Sequence, residues 1–109
     1  MPGPTEFEKV ATVGDLEDGQ MIQVHAGGMD LNLARIGDEY FAMDNWCTHA
    51  SAMLNMGFLH TDTCEIECPL HEGMWDLRTG QPTNEPADDP TMVFPVKVEG
   101  DDILVGPKE

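Results

Sequence analysis

The sequence predicts an all-β protein. Short apolar stretches are separated by turn residues along most of the chain, and no stretch has a convincing helical period. Leu31 and Leu33 alternate with polar residues, which predicts a strand with one apolar face. At 109 residues the chain is long enough for one domain, residues 1–109, with a single modest core.

The predicted elements follow one another as short strands joined by turns. Strands are predicted, in order, over residues 6–12, 21–25, 29–36, 40–44, 64–67, 74–77, 92–99 and 103–105. A turn or one helical turn is predicted at residues 15–20. The Gly27-Gly28 pair predicts a tight hairpin, and turns are also predicted at Gly37-Asp38 and Gly100-Asp101.

This order predicts a nested layout. Strands before Asp44 and after Thr91 form one antiparallel base, and a smaller unit is inserted between them. The predicted base covers residues 1–44 and 84–109, and the inserted unit covers residues 45–83.

Two motifs in the inserted unit each contain one thiol and one imidazole. They are Cys47-Thr48-His49 and Cys68-Pro69-Leu70-His71. Thiolate and imidazole bind zinc, copper and iron–sulfur centres, and two cysteines with two histidines suit both a zinc finger and a Rieske cluster. Zinc fingers usually pair cysteine with nearby cysteine and histidine with nearby histidine. Because each motif here mixes the two, the pattern favours a two-iron cluster that both loops contact.

The two motifs resemble the ligand boxes of the Rieske family. The flanking residues resemble it as well, namely Gly73, Trp75-Asp76, the Arg78-Thr79-Gly80 turn and the Pro-rich residues 82–90. In length and layout the chain is similar to the small soluble Rieske ferredoxins of bacterial aromatic ring-hydroxylating dioxygenase systems. The resemblance implies a [2Fe–2S] cluster with Cys47 and Cys68 on the inner iron and His49 and His71 on the outer iron. It also implies the nested Rieske-like fold, with the Pro-rich loop covering the cluster.

The same resemblance implies an electron carrier, not an enzyme. It would take single electrons from a flavin-dependent NAD(P)H reductase and pass them to the terminal oxygenase through the edges of His49 and His71. Two alternatives are a redox partner of another monooxygenase system and a zinc-stabilised interaction module. A catalytic Rieske oxygenase needs a second iron site, usually two histidines and a carboxylate, and only His25 and His60 remain for it.

Charge narrows the choice of partners. The net charge is −16, from 21 acidic and 5 basic residues, which argues against nucleic acid and anionic membranes and favours a basic protein surface. No Lys or Arg lies between Arg35 and Arg78, the interval that contains both motifs. We expect partner docking around the second motif and its neighbours, at Glu72, Met53 and Leu70.

The remaining features predict location and redox behaviour. Three cysteines, no apolar run of membrane length and no signal-peptide pattern at the start predict a cytoplasmic protein. High-potential members of the family have hydroxyl residues where this chain has Gly73 and Trp75. The resemblance therefore implies a midpoint potential at the low end of the Rieske range, about −150 to +300 mV.

Other candidate residues receive plainer interpretations. Cys64 is expected to be a small apolar filler in a strand, His25 a surface or half-buried strand residue, and His60 a solvated residue near a turn. Packing or shielding roles at the cluster are expected for Trp46, Trp75, Met53, Met56 and Met74.

Overall fold

The computed structural model describes residues 3–47, 52–70, 72–85, 87 and 89–107. The strands in this part of the chain are β1 Glu8–Thr12, β2 Met21–Ala26, β3 Met29–Ile36, β4 Glu39–Asp44, β5 Phe58–His60, β6 Glu65–Glu67, β7 Met74–Asp76, β8 Pro82–Asn84, β9 Val93–Phe94, β10 Val96–Glu99 and β11 Asp102–Val105. Two short 3₁₀ helices occur at Val13–Asp15 and Leu54–Met56. The described residues contain no α-helix, so the all-β prediction is confirmed.

The strands form three antiparallel sheets. Their orders are β1-β11-β10, β2-β3-β4-β9 and β5-β6-β7-β8. The first two sheets come from the predicted base, which is therefore two sheets and not one. The third sheet is made within residues 58–84, and its Ile66 and Trp75 share a buried cluster with Cys47 and Cys68. The boundaries of the two predicted units stay a prediction.

The division of the base into two sheets occurs at Pro95. A single strand was predicted over residues 92–99, but β9 pairs with β4 while β10 pairs with β11. Proline has no backbone N–H and cannot donate to a strand ladder, so pairing with β4 ends there. The chain then continues in the other sheet.

The predicted hairpin between β2 and β3 is present. Gly27 and Gly28 both have positive φ, 57° and 78°, as a two-residue hairpin turn of the primed type requires. A Cβ on Gly27 would overlap the backbone of Gly3, which donates its N–H to the Gly27 carbonyl over 2.9 Å. Glycine is thus required here for conformation and for close approach.

Strand β3 is buried on both faces, which corrects the prediction of one polar face. Leu31, Asn32, Leu33 and Ala34 are all fully buried. Leu31 and Leu33 belong to the core of the base, whereas Ala34 belongs to a second core. The strand therefore separates two cores, and the second one includes Cys47 and Cys68.

Candidate metal centre

Both motif cysteines lie in the second core. Cys47 comes shortly after β4 and is 7% exposed, and Cys68 directly follows β6 and is 1% exposed. The same buried cluster contains Leu54, Ile66 and Trp75. The two thiols therefore come from different loops to one apolar environment. His49 and His71, the other predicted ligands, lie outside the described residues.

The first loop is closed by backbone pairing at its base. The N–H of Cys47 donates to the carbonyl of Ala52 over 2.9 Å, and Trp46 forms an antiparallel bridge with Met53. These contacts bring the two ends of the loop together around the segment 48–51. The position of Cys47 is thus defined by main-chain hydrogen bonds.

The second loop is closed in a similar way. The N–H of Cys68 donates to the carbonyl of Gly73 over 2.8 Å. Glu72 has a φ of 64°, a region that non-glycine residues rarely adopt, and its carbonyl accepts a hydrogen bond from Asn84 Nδ2 over 2.9 Å. This bond links the second loop to β8.

The two loops are held close together by a glycine contact. Gly57 follows the first loop, and a Cβ there would overlap the carbonyl oxygen of Glu67 and lie 3.1 Å from Cδ of Pro69. Only glycine permits this approach without a shift of the second loop. Two buried thiols on adjoining, backbone-closed loops fit a centre that takes one thiolate from each loop.

The Pro-rich segment packs against the same core. Trp75 is fully buried and its Nε1–H donates to the carbonyl of Asp89 over 2.8 Å. Ala87 is 6% exposed and belongs to the cluster that contains both cysteines. Pro86 and Asp88 lie outside the described residues. The segment therefore lies against the core of the predicted centre and is not a detached connector.

The predicted docking residues differ in exposure. Leu70 is 58% exposed and Glu72 is exposed, whereas Met53 is only half-buried. Four large apolar side chains in the segments around the two loops are exposed, and we name them the apolar rim: Trp46 (46%), Met56 (66%), Phe58 (59%) and Leu70 (58%).

The sequence did not predict that Trp46 and Phe58 belong to the apolar rim. Trp46 and Met56 were expected to pack over or shield the cluster, yet both expose large areas, and Met74 is half-buried. Trp46 directly precedes Cys47, so the sequence indicated that it lies near the centre but not that it is exposed. No sequence signal marks Phe58, which reads as an ordinary apolar residue at the start of a strand.

Each of the other two histidines lies within hydrogen-bond distance of a carboxylate. His25 Nδ1 is 2.7 Å from Asp30 Oδ1 across the β2–β3 hairpin, and its side chain is 73% exposed. His60 lies in β5 with Nε2 2.7 Å from Glu67 Oε1, and its side chain is 38% exposed. His60 is thus the last residue of β5 and directly precedes a turn, as expected, and its partly exposed ring has a carboxylate partner that the sequence did not predict.

Cys64 is buried, as expected of a small apolar filler, but it does not lie in a strand. It precedes β6 in a turn, with a φ of 60° and 5% exposure. Its carbonyl accepts the N–H of Leu77 over 3.0 Å. Burial raises the pKa of its thiol, although the nearby Arg78 partly offsets this. The neutral thiol therefore acts as packing material.

One carboxyl at the start of the first loop is electrostatically perturbed. Burial raises the pKa of Asp44, and the charge of Asp30 raises it further. The N–H of Trp46 donates to Asp44 Oδ1 over 3.0 Å and acts in the opposite direction. Asp44 thus supports the turn into the first loop at an electrostatic cost.

Comparison with known proteins identifies this arrangement. The model of the Rieske [2Fe–2S] domain matches residues 6–98. The ferredoxin component of biphenyl 2,3-dioxygenase from Rhodococcus jostii (strain RHA1) is 38% identical over 97 residues, which are 89% of each chain. The ferredoxin of carbazole 1,9a-dioxygenase from Nocardioides aromaticivorans IC177 is 41% identical, with a TM-score of 0.91 over 95% of this chain and 100% of that one. The ferredoxin in a complex of reduced oxygenase and oxidized ferredoxin of carbazole 1,9a-dioxygenase is 33% identical, with a TM-score of 0.87 over 96% of this chain and 97% of that chain.

The chain belongs to the Rieske [2Fe–2S] family, and its cofactor is a Rieske-type [2Fe–2S] cluster. Within that family it is a ferredoxin, an electron-transfer component and not a catalytic subunit. The resemblance inferred from the two motifs is thereby confirmed, and the zinc alternative is wrong. Among the residues that the structure describes, no helix has the length and apolar character of a membrane span.

Proposed function

We propose that this ferredoxin carries single electrons from a flavin-dependent NAD(P)H reductase to the terminal oxygenase of an aromatic ring-hydroxylating dioxygenase in the cytoplasm. The observation that carries the proposal is similarity over nearly the whole chain, at 38% and 41% identity, to ferredoxins of such dioxygenases. A relative in complex with its oxygenase supports the second partner. The strong negative charge supports partners with basic docking surfaces.

We assign the cluster to four ligands, Cys47 and Cys68 as thiolates and His49 and His71 as imidazoles. When bound, the cluster supplies one-electron oxidation and reduction. The buried positions of Cys47 and Cys68 support the assignment, because thiolates in a dry core keep an iron–sulfur centre away from solvent. Trp75 and Ala87 exclude water from the same core.

The partner surface that we propose combines the apolar rim with Glu72. Leu70 and Glu72 stand on either side of the proposed ligand His71 in sequence, and both are exposed. An apolar patch supplies contact area, and a carboxylate next to it selects a basic partner and increases the rate of encounter. Met53 is half-buried and contributes less area.

A charge reversal tests the electrostatic part of this surface. We expect Glu72→Lys to slow reduction of the oxygenase at low salt by about tenfold without changing the cluster spectrum. Asp101→Lys is the matched control, because it makes the same charge change at an exposed residue in the β10–β11 turn of the base. Stopped-flow absorbance measures both. Equal rates for the two variants would contradict a docking role for Glu72.

Shortened apolar side chains test the other part. We expect Leu70→Ser to weaken oxygenase binding by about tenfold, since truncation of an exposed docking residue removes interface area. Val98→Ser is the control, because Val98 is 44% exposed but lies in β10 of the base. If Leu70→Ser weakens oxygenase binding while Glu72→Lys behaves like wild type, apolar contact dominates docking.

A further inference from the structure

We propose that Asn45 is a positioning residue that holds the first cluster-binding loop in the shape its ligands require. Asn45 comes two residues before Cys47 and is fully buried. The inference rests on the proposed ligand set, because its consequence is the placement of Cys47 and His49. It adds to the proposed function a residue that acts through the loop and does not contact the cluster itself.

All four polar groups of Asn45 are hydrogen-bonded. Its backbone N–H donates to the carbonyl of Asp30 over 3.1 Å, and its carbonyl accepts the N–H of Leu54 over 2.6 Å. Its side-chain Oδ1 accepts the N–H of Asn55 over 2.9 Å, and its Nδ2 donates to Asn55 Oδ1 over 2.8 Å. Asn45 therefore joins the β2–β3 hairpin of the base to the far end of the loop.

These bonds lie just outside the loop closure. Within them are the Trp46–Met53 bridge and the hydrogen bond from Cys47 N–H to Ala52. The side chain of Asn45 bonds to Asn55 on the outer side of the Trp46–Met53 bridge, and Cys47 bonds to Ala52 on its inner side. The two ends of the loop are therefore joined on both sides of the bridge. A loop tied in this way presents its ligands at a defined separation before and after the electron is transferred.

We call the two hydrogen bonds from the Asn45 side chain to Asn55 the clamp. Removing the clamp from the Asn55 side leaves a buried polar group without a partner. If Asn55 loses its side-chain oxygen, Asn45 Nδ2 stays in the dry interior with no acceptor, which favours opening of the loop. If Asn45 loses its amide, both side-chain bonds to Asn55 are lost. Opening of the loop exposes the ligands, so the cluster is lost faster. The cluster also samples more than one ligand geometry, which broadens its EPR lines.

The chain provides a matched control in Asn32. Asn32 is also fully buried, but its Nδ2 contacts Met21 Sδ over 3.4 Å and it bonds to neither loop in the described part of the chain. Its Oδ1 is buried with no hydrogen-bond partner in the described part of the chain, so Asn32→Ala reports the effect of removing a buried asparagine that does not tie the loop. A conservative variant is also available, because Asn55→Asp keeps both an acceptor for Asn45 Nδ2 and a backbone donor for Asn45 Oδ1.

The test measures cluster retention in the isolated holoprotein. The rate of cluster loss to an iron chelator is followed by visible absorbance, and EPR of the reduced protein gives the g values. We expect Asn55→Ala to lose the cluster roughly fivefold faster than wild type, Asn45→Ala more than tenfold faster, and Asn55→Asp at nearly the wild-type rate. Asn45→Ala is also expected to broaden and shift the EPR lines, and Asn32→Ala to leave them unchanged.

The outcomes separate positioning from simple loss of stability. The proposal is overturned if Asn32→Ala and Asn45→Ala release the cluster equally fast, or if Asn45→Ala leaves both rate and EPR lines at wild type. Should Asn45→Ala fail to fold, Asn55→Ala decides by the same criteria, since Asn55 is only half-buried. No redox partner is present in these measurements, so their failure leaves the proposed electron-transfer role to be judged by its own assay.

Discussion

At the scale of single residues, the three cysteines show how context assigns chemistry to one side-chain type. All three are buried, but Cys47 and Cys68 stand in backbone-closed loops, whereas Cys64 stands in a turn with its neutral thiol stabilised by burial. A thiolate is needed to bind iron, and a neutral thiol is suited to packing. Substitution by serine is therefore expected to have different effects at these three positions.

We predict that Cys47→Ser, His49→Ala, Cys68→Ser and His71→Ala each abolish the native EPR signal of the reduced protein. The reason is that each iron has only two protein ligands in the proposed site. Cys64→Ser is the control and should keep the signal, because Cys64 is not among the proposed ligands. An unchanged spectrum in any of the four variants would remove that residue from the ligand set.

A second residue-scale prediction concerns pH and Asp44. The folded-state pKa lies above the ordinary value because Asp44 is partly buried and near Asp30. The unfolded chain therefore gives up this proton first, and stability from this group falls as pH rises from about 4 through the folded pKa. We expect Asp44→Asn to be more stable than wild type at pH 7, with its Oδ1 still able to accept the Trp46 N–H.

Urea unfolding at several pH values measures this effect. The advantage of Asp44→Asn should be full at neutral pH and should shrink as pH falls toward the folded pKa. A variant that is less stable than wild type at pH 7 would show that the hydrogen bond to Trp46 outweighs burial of the charge.

At the scale of elements, the Pro-rich segment and β7 form one lid on the core. The bond from Trp75 Nε1–H to Asp89 and the burial of Ala87 hold the segment in place. A dry environment disfavours the more negative reduced state of an iron–sulfur centre. The lid therefore supports the low midpoint potential that the absence of hydroxyls at Gly73 and Trp75 predicts.

We predict that Trp75→Phe raises the midpoint potential on the order of tens of millivolts, because the loop is released and solvent reaches the centre. Phenylalanine keeps an aromatic ring in the core but removes the donor to Asp89. Trp46→Phe is the control, since Trp46 is 46% exposed and lies outside the lid. Voltammetry measures both, and a lower or unchanged potential in Trp75→Phe would contradict the role of the lid.

At the scale of the whole molecule, charge and fold act together. The net charge is −16, and the interval between Arg35 and Arg78 contains both loops and no basic residue. The negative field around this part of the chain attracts basic patches on a partner over a distance that salt shortens, to about 8 Å at physiological ionic strength. Docking by wild-type protein should therefore respond to salt.

We predict that electron transfer between wild-type ferredoxin and the oxygenase slows steadily as ionic strength rises. The physical reason is screening of long-range attraction during encounter. Stopped-flow rates at a series of salt concentrations measure the effect. Rates that stay flat across the series would favour docking by the apolar rim alone.

Much of the architecture follows from local sequence signals. Strand β3 was predicted with its observed bounds, and the Gly27-Gly28 hairpin follows from a conformation that glycine adopts without strain. The family and cofactor could be predicted from the mixed Cys-His motifs, because the type and spacing of the ligands are given directly by the amino-acid sequence. These features are local, so neighbouring residues suffice to specify them.

Other features depend on distant partners and could be found only in the folded chain. Burial of Asn32 on the second face of β3, the change of sheet at Pro95 and the pairing of His60 with Glu67 require elements from elsewhere in the chain. The clamp of Asn45 on Asn55 and the bond of Trp75 to Asp89 have the same character. Strands, turns, charge and the likeness to Rieske ligand boxes could be predicted from the amino-acid order alone, because they depend on neighbouring residues. Which polar side chains tie the loops together was decided by packing, because long-range contacts leave no periodic signal.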